Sequence, residues 1–182
     1  MDNSIGLIEL TSIARGFEVA DAMLKAADVQ MVFNRTICPG KFMVMVSGRT
    51  QAVRSSIAVG LEIGGDTIVD ELVIPNVHPE VFPAISGTRV IERTGALGIL
   101  ETFSVASIIE AADAAVKAAD VQLMEIHLAM AIGGKGYVTL TGDVAAVTAA
   151  VEAGADYVRS KGLLVSKVVI PQPREEILRD KI

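Results

Sequence analysis

The sequence predicts an α+β fold of two tandem ferredoxin-like modules, each with the split βαβ arrangement. The first observation is an internal repeat: residues 5–30 align with residues 97–122 at an offset of 92 residues, and about half of the aligned positions are identical. The second is the order of elements, since each copy alternates short β-rich apolar runs with Ala-rich stretches at helical spacing. The third is length: 182 residues accommodate two domains of about 90.

The elements of the first copy follow from hydrophobic periodicity and turn residues. Phe17, Ala20 and Met23 recur at helical spacing, and a Cys-Pro-Gly turn at residues 38–40 between two β-rich runs indicates a hairpin. Two glycines end the second helix and a proline ends the last strand. The second copy repeats this order, with its second helix at residues 142–155. In the first copy we expect strands at residues 5–10, 29–37, 42–46 and 67–74, and helices at 14–27 and 50–63.

The two copies stay aligned along their length, apart from two short insertions in the second. Residues 40–41 align with residues 134–135 at an offset of 94 residues, and residues 74–75 align with residues 170–171 at an offset of 96. The segment between the copies contains turn and linker residues, so the boundary is placed at residues 87–95. The predicted domains are residues 3–87 and residues 95–182.

Composition excludes several classes of partner. The chain is 51% hydrophobic with a mean hydropathy of +0.50, yet no stretch without a charged residue exceeds nine positions, too short to span a membrane. The excess apolar surface therefore predicts a subunit interface. A net charge of −6 without a basic run argues against nucleic acid or anionic membrane as partner. The N-terminus MDNSIGLIEL does not look like a secretory signal, so we expect a cytoplasmic protein.

Two repeated strings resemble the bacterial microcompartment shell domain. Residues 21–29 (DAMLKAADV) recur as DAAVKAADV at 113–121, and residues 6–9 (GLIE) recur as GILE at 98–101. The resemblance implies the tandem class of that family, in which a homotrimer imitates a hexamer around a central pore and tiles edge to edge with neighbouring shell proteins. It also implies that Lys25 and Lys117 lie at the tile edge. The family's Pro-Arg-Pro-His segment is altered here, so edge contacts can differ in detail.

In that family the loop between the second and third strands lines the pore. Threefold symmetry would bring three copies of Cys38 to one axis, where three thiolates can hold three irons of a 4Fe-4S cluster. The Cys-Pro-Gly turn is similar to that of the T-type branch found in propanediol-utilisation compartments. This likeness implies such a cluster, with one Cys as metal ligand from each subunit and electrons relayed to lumenal redox enzymes. The pore-lining residues implied are Ile37, Cys38, Pro39, Gly40, Ile132, Gly133 and Gly134.

Other functions remain open at this point. The same loops could form a pore for a metabolite or cofactor with Cys38 as a lining residue only, or the chain could be a free-standing binding protein. Glu9 and Glu101 recur at equivalent strand positions, which favours a structural hydrogen-bonding role for both. The sequence contains no Ser-His-Asp or Cys-His arrangement, and we therefore predict that the protein is not an enzyme.

Overall fold

The computed structural model describes residues 4–91 and 95–178, and these form two four-stranded antiparallel sheets. The strand orders are β2-β3-β1-β4 and β6-β7-β5-β8, so each sheet has the same split βαβ topology and the predicted fold class is confirmed. The first copy consists of β1 (Ser4–Leu10), α1 (Ile13–Ala26), β2 (Val29–Ile37), β3 (Lys41–Gly48), α2 (Thr50–Gly64) and β4 (Ile68–Ile74). The second consists of β5 (Ala96–Thr102), α4 (Val105–Ala118), β6 (Val121–Leu128), β7 (Gly136–Gly142), α5 (Val144–Arg159) and β8 (Leu164–Ile170).

Two short helices were not predicted from the sequence. Helix α3 (Val81–Ser86) follows β4, and α6 (Glu175–Leu178) follows β8. Tertiary contacts stabilise α3: Glu80, just before it, pairs with Arg89 at 2.6 Å and accepts the Leu123 N–H at 2.9 Å. A helix of six residues has too little periodicity to be recognised in the sequence. Helix α5 also differs from the prediction, because it begins two residues later and ends at Arg159.

The first core lies between the helices and one face of the first sheet. Ile8, Val44 and Met23 are fully buried there. Gly60 allows α2 to pack closely against Ile8 of β1 and Met23 of α1. A Cβ at this position would lie only 2.5 Å from the Ile8 Cδ1 and 2.8 Å from the Met23 Cγ. The Ser56 hydroxyl donates to the Met23 carbonyl at 2.9 Å and fixes α2 against α1. None of the helices within residues 4–91 and 95–178 has the length and hydrophobicity needed to cross a membrane.

The chain divides into two compact units that do not coincide with the sequence copies. The first unit contains the described residues up to Val77 together with Ser104–Ala106 and Ala129–Gly134. The second contains the remainder, including the segment from His78 to the end of α3. The first turn of α4 and the tip of the second hairpin therefore belong to the unit that carries Cys38. Residues 92–94, within the predicted linker, lie outside the described residues, as do residues 1–3 and residues 179–182.

Candidate functional site

The first hairpin places Cys38 at its tip. Ile37 and Lys41 are the last paired residues of β2 and β3, and the three residues between them form the turn. The Cys38–Pro39 peptide bond is cis, and Gly40 has a φ of 77°, a left-handed conformation that favours glycine. Cys38 is half-buried and is not part of a disulfide, whereas the Ile37 side chain is buried within the chain. Pro39 and Gly40 are exposed.

The tip of the second hairpin packs against the first within the same compact unit. The Cys38 N–H donates to the Ala129 carbonyl at 3.2 Å. At Gly134, a Cβ would lie 2.9 Å from the Pro39 Cδ and 3.1 Å from the Cys38 carbonyl oxygen. The structure therefore brings Cys38 and Pro39 next to Gly134. Ile132 and Gly133 lie in the same turn, half-buried and exposed respectively.

The second hairpin turn has an unusual backbone. Ala129 and Ala131 have φ values of 55° and 62°, and Gly133 and Gly134 have 66° and 84°. Non-glycine residues in this region cost on the order of 1 kcal/mol each, so tertiary contacts must hold them there. Sequence reasoning missed Ala129, because alanine carries no signal for a left-handed conformation or for a carbonyl that accepts the Cys38 N–H.

A buried carboxylate anchors the base of the first hairpin. Glu9 is fully buried; its Oε1 accepts from Lys41 Nζ at 2.7 Å and its Oε2 accepts the Val105 N–H at 2.9 Å. Burial raises the pKa of Glu9 above its usual value, and the contacts with Lys41 and Val105 offset part of this effect. Lys41 follows Cys38 by three residues, so Glu9 limits the movement of that end of the turn. In the second copy Lys135 pairs with Glu101 in the same way.

The two lysines assigned to the tile edge lie in the last turns of equivalent helices. Lys25 pairs with Asp21 at 2.6 Å and its side chain is 73% exposed. Lys117 pairs with Asp113 at 2.5 Å and its side chain is 39% exposed. Asp113 differs from Asp21 because it also accepts the His78 N–H at 2.8 Å. Each lysine is thus held by an i, i+4 ion pair, which is worth a few tenths of a kcal/mol, about 0.3–0.5, in exposed helices.

A comparison with known protein families shows that one domain family matches each of the two sequence copies. The BMC domain matches twice, at residues 4–77 and at residues 96–173, which is most of each sequence copy. The chain belongs to the BMC domain family. Each BMC domain begins at the first strand of a sheet and ends beyond its last strand.

Two relatives match the chain over nearly its whole length. The bacterial microcompartment shell protein PduT of Citrobacter freundii is 49% identical over 182 residues, covering 100% of this chain and 99% of the relative. The carboxysome assembly protein CcmO of Synechocystis is 30% identical over 194 residues, covering 97% of this chain and 63% of the relative. These matches confirm the resemblance to tandem-domain microcompartment shell proteins.

Solved structures agree with this assignment. A crystal structure of a microcompartment protein from Desulfitobacterium hafniense superimposes with a TM-score of 0.88 at 49% identity, covering 98% of this chain and 99% of that one. A fused permuted hexameric shell protein of the RMM microcompartment gives a TM-score of 0.66 at 24% identity, covering 87% and 82% of the two chains, and this likeness shows the fold alone. The chain is a tandem-domain microcompartment shell protein.

Proposed function

We propose that three copies of this chain form a ring of six BMC domains that serves as one tile of a microcompartment shell. The observation that carries the proposal is the unequal burial of α1 and α4, which occupy the same place in the two sequence copies. Phe17 of α1 is 59% exposed, whereas its equivalent, Ile109 of α4, is fully buried. Ile13 is 40% exposed, whereas its equivalent, Val105, is fully buried.

A closed ring explains this difference. The chain buries the apolar face of one helix of the pair and leaves the equivalent face of the other in solvent, where contiguous apolar surface usually marks an interface. A head-to-tail contact that closes on itself would cover the open face in every subunit and leave no unmatched end. Three chains with two domains each give the pseudohexamer implied by the tandem family. The exposed side chain of Lys25 then remains available for contacts with neighbouring shell proteins.

The second part of the proposal is a 4Fe-4S cluster held by Cys38 from each of the three chains. Cys38 is the only cysteine in the sequence, and it lies half-buried at a hairpin tip. Within the described part of one chain, no group of three or more His, Cys, Asp or Glu could hold a metal ion. A cluster held by thiolates would therefore need ligands from several chains, which the ring supplies. The residues present fit such a group.

The surrounding residues hold the thiol in place. Ala129 accepts the Cys38 N–H, the backbone of Gly134 packs against the Cys38 carbonyl, and Glu9 restrains the turn through Lys41. When bound, such a cluster exchanges electrons at a potential set by its surroundings. Water, a small molecule or a partner protein would complete the coordination. This arrangement supports an electron relay between redox enzymes inside the compartment and carriers outside it.

The test uses protein purified without oxygen. We expect a native mass of three chains, with about four iron and four acid-labile sulfide per trimer. Cys38→Ser should lose both while keeping the trimer mass and the helical circular dichroism. Thr36→Ser, which changes the same hairpin by one methyl group, should keep the iron. Retention of iron by Cys38→Ser would reject the cluster assignment.

A transport pore is the second candidate, and one observation favours it. A Cβ added at Gly40 or Gly133 would have no heavy atom within 4 Å, so these two positions of the hairpin tips face open space in the single chain. Wild-type trimers free of iron, with metabolite flux across reconstituted shells that persists in Cys38→Ser, would support transport in place of electron relay.

A further inference from the structure

The two equivalent glutamates of the repeat have different surroundings. Glu9 is fully buried and bonds both Lys41 and the Val105 N–H. Glu101 makes the matching contact with Lys135, but its side chain is 29% exposed. Within residues 4–91 and 95–178, no helix N-terminus is bonded to Glu101, so the second copy lacks one of the contacts that the first copy makes.

The missing contact can be identified from the repeat. Val105 is the first residue of α4, and its N–H is one of the groups that a helix cannot satisfy within itself. Glu9 accepts this N–H within the first compact unit, and a carboxylate at a helix N-terminus is favourable. At the shift of 92 residues, Val105 corresponds to Ile13, which is the first residue of α1. The equivalent donor for Glu101 is therefore the Ile13 N–H.

The sheet face around Glu101 is open in the single chain. It carries a pocket of about 320 Å³ whose apolar lining includes Leu97, Ile99 and Leu178, with Tyr137 beside them. Thr139 also lines this pocket; it is 6% exposed, and its Oγ1 has no hydrogen-bond partner in the described part of the chain. In contrast, Leu7 and Met45, on the corresponding face of the first sheet, are fully buried. The second sheet thus has room for an apolar helix face.

We infer that Glu101 of one chain accepts the main-chain N–H of Ile13 from α1 of a second copy, while Phe17 of that copy covers the pocket. This contact rests on the proposed ring and names the residues that close it. The contact repeats, between chains, the Glu9–Val105 bond made within a chain. The occupant is a second copy of this chain, because α1 combines the equivalent donor with the exposed apolar residues that the pocket requires.

The inference can be tested by removing a single N–H group. Proline has no N–H and is favoured at the first helical position, and the preceding Ser12 has an extended conformation (φ −117°, ψ 122°) that suits a residue before proline. Ile13→Pro should therefore fold normally. Ile13→Ala removes the same side chain but keeps the N–H, which makes it the matched control.

We expect each interface of Ile13→Pro to be about tenfold weaker than that of Ile13→Ala, as for loss of one bond to a charged acceptor. Over three interfaces, the concentration at which half of the chains are trimeric should rise about 30-fold, as measured by analytical ultracentrifugation. In a double-mutant cycle, Glu101→Ala should add little to Ile13→Pro. Glu152→Ala serves as a control, because it removes a different Glu–Lys pair of the second unit. It should leave the concentration at which half of the chains are trimeric unchanged.

Three results would overturn the inference, and they differ in whether they also reject the ring. Equal trimer midpoints for Ile13→Pro and Ile13→Ala, in a wild type that is trimeric, would reject the Glu101 contact and leave the ring in place. A wild type that is monomeric over the whole concentration range would reject the ring as well. Additive effects of Glu101→Ala and Ile13→Pro would show that the two groups do not contact each other.

Discussion

Gly134→Ala tests whether the second hairpin positions Cys38. The new Cβ would lie 2.9 Å from the Pro39 Cδ and 3.1 Å from the Cys38 carbonyl oxygen, both below ordinary van der Waals contact. Pro39 is a rigid ring and the carbonyl is backbone, so neither can yield as the end of a flexible side chain would. The two turns must therefore move apart by a few tenths of an ångström, which displaces Cys38 relative to the second hairpin.

The neighbouring glycine provides the control that separates strain from crowding. Gly133 has a φ of 66° and Gly134 a φ of 84°, so alanine at either position meets a left-handed backbone, at a cost of about 1–2 kcal/mol. Only Gly134 is crowded, because a Cβ at Gly133 has no heavy atom within 4 Å. Overpacking adds about 1–3 kcal/mol. We therefore expect the free energy of unfolding of Gly134→Ala to be lower than that of Gly133→Ala by about 1–3 kcal/mol.

The assay combines stability with iron content. Urea denaturation of both variants gives the difference in the free energy of unfolding, and the iron content of the proposed cluster-bearing trimer reports the position of Cys38. A shift of a few tenths of an ångström exceeds the tolerance of about 0.2 Å in metal–ligand distances, so Gly134→Ala should hold less iron than Gly133→Ala. Equal stability and equal iron in the two variants would refute the idea that Gly134 supports the cysteine turn.

Two further predictions concern Glu9 and Phe17. Because burial raises the pKa of Glu9, its contribution to stability is full below the unfolded pKa and declines as pH rises through the folded one. The free energy of unfolding of the wild type should thus fall relative to that of Glu9→Gln as the pH rises above about 4.5. A gap that instead widens in favour of the wild type would mean that the contacts with Lys41 outweigh desolvation. Phe17→Ser should weaken each interface of the proposed ring by about 2–3 kcal/mol, as measured by sedimentation, because Phe17 is an exposed aromatic residue of α1. Far-ultraviolet circular dichroism should change little. A trimer of unchanged stability would contradict the proposed role of α1 in the interface.

The fold and the repeat could be predicted because their signals are local or internal to the sequence. Strand β2 begins and ends where the sequence indicates, and α2 ends at Gly64, next to Gly65 with its φ of 49°. The beginning of α5 was placed two residues early, because its N-terminal boundary depends on Asp143, which is extended and precedes the first helical residue. The short helix α3 was missed, since contacts with distant residues stabilise it rather than its own periodicity.

The α+β class, the two copies, the family motifs and the position of Cys38 in a hairpin turn can all be inferred without coordinates, since each depends on residues close together or on comparison of the chain with itself. In contrast, the contacts of Cys38 with Ala129 and Gly134, and the bond from the Val105 N–H to Glu9, emerge from the three-dimensional packing alone. These partners are separated by about 90 residues or more, and their types carry no pairing signal. The unequal burial of α1 and α4 is likewise a property of packing, because nearly equivalent helices expose or bury the same face according to what covers it.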